Sequence, residues 1–216
     1  YSVNGRSFQS VDMTAMDNRF VGEIPAADDG KVVQFFVEAT DLAGATSTFP
    51  AKGEDSRALY KVSDGRAANP NSLTVRIIMT PADATLLHSR TNVMSNDRLR
   101  GTLVVNDEEI YHDVQIKLKG AQRIRSNANR VGFNIKLDPE NKFRGEYDTI
   151  RIDRNGGAGT YEQKEILVKH AIQHAGGIPG MYDDIALVVP PRPGFDINNA
   201  TTGMLITEAY DGNWMS

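Results

Sequence analysis

A chain of 216 residues has room for one large domain or two small ones, and 40% hydrophobic with 24% charged residues is the composition of an ordinary globular protein. A formal net charge of −4 argues against steering the whole molecule toward nucleic acid, and no run approaches the ~20 apolar residues of a membrane-crossing helix. The absence of cysteine excludes disulfides, thiolate metal sites and cysteine nucleophiles.

Residues 1–62 read as strands and turns. Phe20 to Pro25 is a short strand ended by proline, Asp28 to Lys31 a turn, and Val32 to Ala39 an alternating strand with Val33, Phe35, Val37 and Ala39 on one face. Another turn and strand follow, and Ala58 to Val62 is the last strand. About four strands fall short of the ~7 of an immunoglobulin-type sandwich, so the expectation is a partial β-sandwich that starts upstream of Tyr1. A carbohydrate platform is disfavoured, because Phe35 and Phe36 face opposite ways. Residues 63–72 are small, polar and turn-prone, and read as a linker.

From residue 73 the pattern changes. Leu73 to Met79 is a strand, then Thr80 is an N-cap with Pro81 at the first helical position. Arg100 to Asn106 and Ile110 to Gly120 are strands joined by the turn Asn106 to Glu109, with Val114, Ile116 and Leu118 inward and Gln115, Lys117 and Lys119 outward. Val131 to Asp138 puts Val131, Phe133, Ile135 and Leu137 on one face, and Tyr147 to Asp153 is a further strand. A helix follows, with Leu167, Val168, Ala171, Ile172 and Ala175 at helical spacing, Glu165 and Lys169 four apart, and Gly176-Gly177 and Pro179 as the stop. Asp183 to Pro190 and Thr202 to Tyr210 complete the strands. The expected fold class is α+β: a mostly antiparallel sheet with one main packed helix.

Several patterns invite chemistry and fail a spacing test. His170 and His174 have the i, i+4 spacing of zinc ligands, but Ala171 stands where a metalloprotease needs Glu. Asn155 to Glu162 lacks the Lys-Ser/Thr ending of a phosphate loop. Asp183 and Asp184 are adjacent on a strand and so point to opposite faces. No catalytic residue and no metal site is assigned. The strongest signal is basic: Lys117, Lys119 and Lys136 on the outer faces of two neighbouring strands, with Arg123, Arg125 and Arg130 between them and no carboxylate from Lys117 to Arg130. Like charges across a sheet repel, so water, a carboxylate from elsewhere or a bound anion must compensate.

The ordered set Lys119-Gly120, Phe133 to Lys136, Phe143, Ile150 to Asp153, Glu165 and Ala175 to Pro179 resembles the CotH family, spore-coat-type atypical protein kinase-like domains of bacterial secreted proteins. The similarity spans about Leu73 to Trp214, and residues 24–51 are similar to the immunoglobulin-like spacer that often precedes such domains. The resemblance implies a kinase N-lobe-like sheet, ATP and magnesium as cofactors, a secreted or surface protein as substrate, and an extracellular or cell-surface location. It implies phosphate contacts at Lys119, Gly120, Arg123 and Lys136, and a helix carboxylate, Glu165, that positions a lysine. Gly132 departs from the family, which often has serine there. The catalytic and metal-binding aspartates of such domains lie further downstream, so the expectation is a fragment, inactive on its own, in which residues 73–216 are the N-terminal portion of a CotH-like domain. The alternative is a non-catalytic adhesion or surface-assembly module with a degenerate CotH-like domain.

Overall fold

The computed structural model describes residues 1–63, 71–120, 131–153, 163–176, 183–191 and 204–208. The second part of the chain supplies seven strands: β8 (Leu73–Ile78), β9 (Leu99–Val105), β10 (Glu109–Lys119), β11 (Gly132–Lys136), β12 (Thr149–Asp153), β13 (Asp183–Val189) and β14 (Met204–Glu208). They close into a barrel in the order β10-β11-β12-β14-β13-β8-β9. Every pairing is antiparallel except that of β13 with β8, where Ala186 opposes Leu73 and Val189 opposes Arg76. The protein is therefore mostly β.

Alternation drives the closure. Val75, Ile77, Leu103, Val105, Val114, Ile116, Leu118, Phe133, Ile135, Ile150, Ile152, Ala186, Val188 and Ile206 are buried in one continuous core, as period-2 strands with one apolar face require. Helix α1 (Pro81–Leu87) adds Ala84 and Leu87. Its start matches the expectation: the Asp83 backbone N–H donates to Thr80 Oγ1 at 3.1 Å, and Pro81 opens the first turn. Gly101 is required by close approach, since a Cβ there would stand 2.6 Å from the Ile78 carbonyl oxygen and 2.8 Å from Ile116 Cδ1.

Helix α2 (Gln163–His174) forms where the periodicity places it, and Gly176, at φ +77°, ends it. Its apolar stripe does not pack as expected. Leu167 is 70% exposed, Val168 56% and Ile172 40%. A sheet closed on itself buries one apolar face internally, and the part-buried residues of the helix are Ile166, Lys169 and Gln173. The helix runs beside β13, outside the ring. No described helix is long and apolar enough to cross a membrane.

The first 62 residues also differ from expectation. They form a three-stranded sheet, β1 (Ser2–Val3), β4 (Val32–Gln34) and β7 (Leu59–Lys61) in the order β1-β4-β7, and two hairpins, β2 (Thr14–Met16) with β3 (Arg19–Val21) and β5 (Val37–Thr40) with β6 (Thr46–Phe49). The strand expected over Val32 to Ala39 breaks at Phe35-Phe36, so its halves join different sheets. The break is held by aromatic contacts. Phe35 packs against Tyr60 and, edge to face, against His112 of the barrel, with centroids 5.7 Å apart in the second contact; Phe36 packs on Phe8 at 5.4 Å.

This segment is fastened to the barrel. The Leu59 backbone N–H donates to Thr102 Oγ1 at 2.9 Å, and that hydroxyl donates to the Arg57 carbonyl. Asp113 is the second fastener. It sits in a bulge of β10, where the register with β9 shifts between Tyr111 and Val114, and its φ is +56°. Its carboxylate accepts from the Arg57 backbone N–H at 3.2 Å, from Arg100 at 2.9 Å and from Lys52 at 3.1 Å. Arg57 in turn pairs with Asp83 at 3.0 Å.

Candidate functional site: a basic outer face of the barrel

With Ile116, Leu118, Phe133, Ile135, Ile150 and Ile152 pointing inward, alternation fixes what points out. The outer face of β10–β12 carries Gln115, Lys117 and Lys119, then Gly132, Asn134 and Lys136, then Thr149, Arg151 and Asp153. The register makes rows of them. Lys117 opposes Asn134, which opposes Arg151; Gln115 opposes Lys136, which opposes Thr149. Lys119 opposes Gly132, and one step beyond the Phe133–Ile152 pair Gly132 comes level with Asp153.

The predicted cations share this face but do not converge. Lys119 and Lys136 sit four rungs apart on the β10–β11 ladder, a separation of roughly 13 Å at ~3.3 Å per residue. One phosphate group cannot take both. Lys119 is half-buried at the end of β10, and its Nζ pairs with Asp153 Oδ2. Lys136 is exposed and makes no ion pair with a described residue. Gly120, at φ +105°, turns the chain out of β10 in a conformation that favours glycine. Arg123, Arg125 and Arg130 lie outside the described residues, as does the side chain of Glu165.

The compensation that the run of like charges demanded comes at Lys119 from a carboxylate two strands away. Sequence patterning gave no sign of it, because Asp153 is 34 residues from Lys119 and meets it only through register.

Two more basic residues belong to the face. Arg151 stands between Asn134 and Thr207 in the ladder. Arg98, just before β9, reaches over β10. Its guanidinium donates to the Gln115 carbonyl at 3.2 Å, to the Asn134 carbonyl at 3.3 Å and to Asn134 Oδ1 at 2.5 Å. These partners are neutral dipoles, so the positive charge is held by hydrogen bonds but not cancelled. Burial pulls the Arg98 pKa below the ordinary guanidinium value; a guanidinium remains charged at any working pH. An isolated arginine in "SNDRLR" has no local signature, so only the folded register could find it.

What this surface can do follows from charge. Arg98, Lys117, Lys119, Lys136 and Arg151 lie along the outer side of three adjacent strands, and Asp153 is a carboxylate on the same face. A cluster of cations on one face is the kind of surface that would draw a polyanion to an acidic protein. A magnesium ion would need carboxylate oxygens. Among the described residues no three His, Asp or Glu side chains come together to hold a metal, so they do not supply that site. The expected i, i+4 histidines leave His174 Nδ1 against the His170 carbonyl at 3.1 Å, an arrangement internal to the helix.

The barrel and this face define a mostly β protein with a local cationic surface. No protein-family model, no curated protein and no solved structure matches the chain.

Proposed function

We propose that this chain carries the phosphate-binding half of a CotH-like, ATP-dependent protein kinase that acts on hydroxyls of secreted or surface proteins. The observation that carries the proposal is the concentration of basic side chains on the outer face of β10–β12, flanking the Lys119-Gly120 turn. Two further features support it. The barrel contains a five-strand antiparallel arc, β10-β11-β12-β14-β13, whose third strand leads along the chain into the long helix α2. The second is one of chain order: residues 121–130 join the basic end of β10 to β11, the place in the chain where kinase-like proteins carry the segment that covers the phosphates. In this assignment Lys119 is the central phosphate contact, with Lys117, Arg151 and Arg98 around it. Lys136, four rungs along the ladder, stands outside this contact.

Phosphoryl transfer depends on positioning and on cations that stabilise charge spread over phosphate oxygens. The face provides the second of these; no step is assigned to a metal.

The test is isothermal titration of the protein with Mg-ATP. Lys119→Ala weakens binding about tenfold or more, the loss of one charge-assisted contact, while Lys136→Ala changes it by less than about threefold. Wild-type protein without affinity for Mg-ATP refutes the proposal and leaves the non-catalytic surface module. Equal losses in the two variants refute the placement of Lys119 at the centre.

A further inference from the structure

We propose that Asp153, reaching Lys119 across the bare backbone of Gly132, is the carboxylate that positions the phosphate-binding lysine. This rests on the phosphate-binding assignment of the face, and adds a residue and a mechanism to it.

Lys119 and Asp153 stand on β10 and β12 with β11 between them. Two strand spacings amount to on the order of 10 Å. The residue of β11 on that row is Gly132, paired with Lys119 on one side and level with Asp153 on the other. A side chain at this position would project from the same face and stand between the two charges. Glycine leaves the path open, and the lysine lies across β11 to its partner.

The bridge suits positioning. Lysine carries a long flexible stem, and ordering it on its own is entropically costly. A carboxylate fixed on a central barrel strand orders it in advance. An ammonium has three donors, and one bond to Asp153 Oδ2 leaves two for an anion. Both side chains are partly shielded, 28% and 34% exposed, so the pair is less screened than an open surface pair. A kinase-type site draws the same service from a glutamate on the helix, the part expected of Glu165. Here the strand that precedes the helix supplies it, twelve positions earlier in the chain.

A pure counter-ion would behave in the opposite way. If Asp153 merely neutralised Lys119, its removal would free a cation and tighten anion binding. If it positions the lysine, its removal loosens binding, and a longer carboxylate restores it.

Two measurements on the protein separate these outcomes. Nitrogen-edited NMR of the lysine ammonium groups, without nucleotide, shows a protected Lys119 signal in wild type that Asp153→Asn abolishes. Titration with Mg-ATP shows Asp153→Asn weakened about tenfold, on the scale of one charge-assisted hydrogen bond. Asp153→Glu returns to within about threefold of wild type, and Glu165→Gln is unchanged. If wild type binds Mg-ATP and Asp153→Asn binds equally or more tightly, or Glu165→Gln carries the loss instead, the positioning role is overturned while the site stands. If wild type binds no Mg-ATP, the phosphate-binding assignment itself falls, and this inference with it.

Discussion

Substitution of Asp113 separates two contributions that the bulge in β10 combines. The residue sits at φ +56°, a region that Asp and Asn tolerate better than alanine and that glycine enters freely. Its side chain is 16% exposed and accepts the Arg57 backbone N–H at 3.2 Å beside Arg100 and Lys52. Asp113→Ala leaves that amide without its acceptor, a cost of about 1–3 kcal/mol. The Arg100 pair adds about 1 kcal/mol at most, and the half-exposed Lys52 close to nothing. Alanine in the left-handed region adds about 1 kcal/mol. The expected loss is therefore about 3–4 kcal/mol for alanine and about 1 kcal/mol less for glycine, which lacks the same acceptor without the strain. Asp113→Asn keeps an oxygen for the amide and loses about 1 kcal/mol. Urea unfolding followed by circular dichroism gives the three values. Alanine and glycine within 0.5 kcal/mol of each other would refute the backbone contribution, a tolerance on the order of ordinary surface effects. All three within that margin of wild type would refute Asp113 as a fastener of the first segment.

Two further outcomes test the barrel and its junction. Gly101→Ala places a Cβ 2.6 Å from the Ile78 carbonyl oxygen, a backbone atom that cannot swing aside; a loss of about 2–3 kcal/mol, or roughly 5–10 °C in melting midpoint, is expected, and an unchanged midpoint contradicts the close approach. His112 has a buried Nδ1 with no hydrogen-bond partner and lies edge-on to Phe35, and burial pulls its pKa below the ordinary imidazole value. The unfolded chain then takes up a proton more readily than the folded one. Its contribution is fully present above about pH 6.5 and is lost as the pH falls toward the folded value. Unfolding free energies between about pH 5 and 7 should decline toward acid, and His112→Gln should flatten that decline; an identical slope in the variant excludes His112 as its source.

Much of the barrel was legible because it obeys local rules. The inward rows of β10 and β11 follow from strict alternation, and the start of α1 from Thr80-Pro81. The closure was not legible. Pairing of β8 with β13 joins segments more than a hundred residues apart, and a parallel contact leaves no turn signal between its strands. The stripe on α2 shows the converse failure: Leu167, Val168 and Ile172 recur at helical spacing, and that spacing reports helix without reporting what the helix covers. At the site, composition revealed the cluster of cations but not its spread. Lys119 and Lys136 share a face, and only the register shows that they occupy opposite ends of it. Asp153 was visible only as the end of a strand, since its meeting with Lys119 depends on an intervening glycine whose meaning appears once three strands are laid side by side.

The ring also bears on how the molecule could be divided. Each of its seven strands has a neighbour on both sides, so among the described residues the ring has no edge strand. β8 is the stave that joins β13 to β9. A shortened chain beginning after residue 78 would lack that stave, leaving two raw margins ready to recruit strands from other copies. Residues 73–78 thus belong with the basic face as its stopper against self-association.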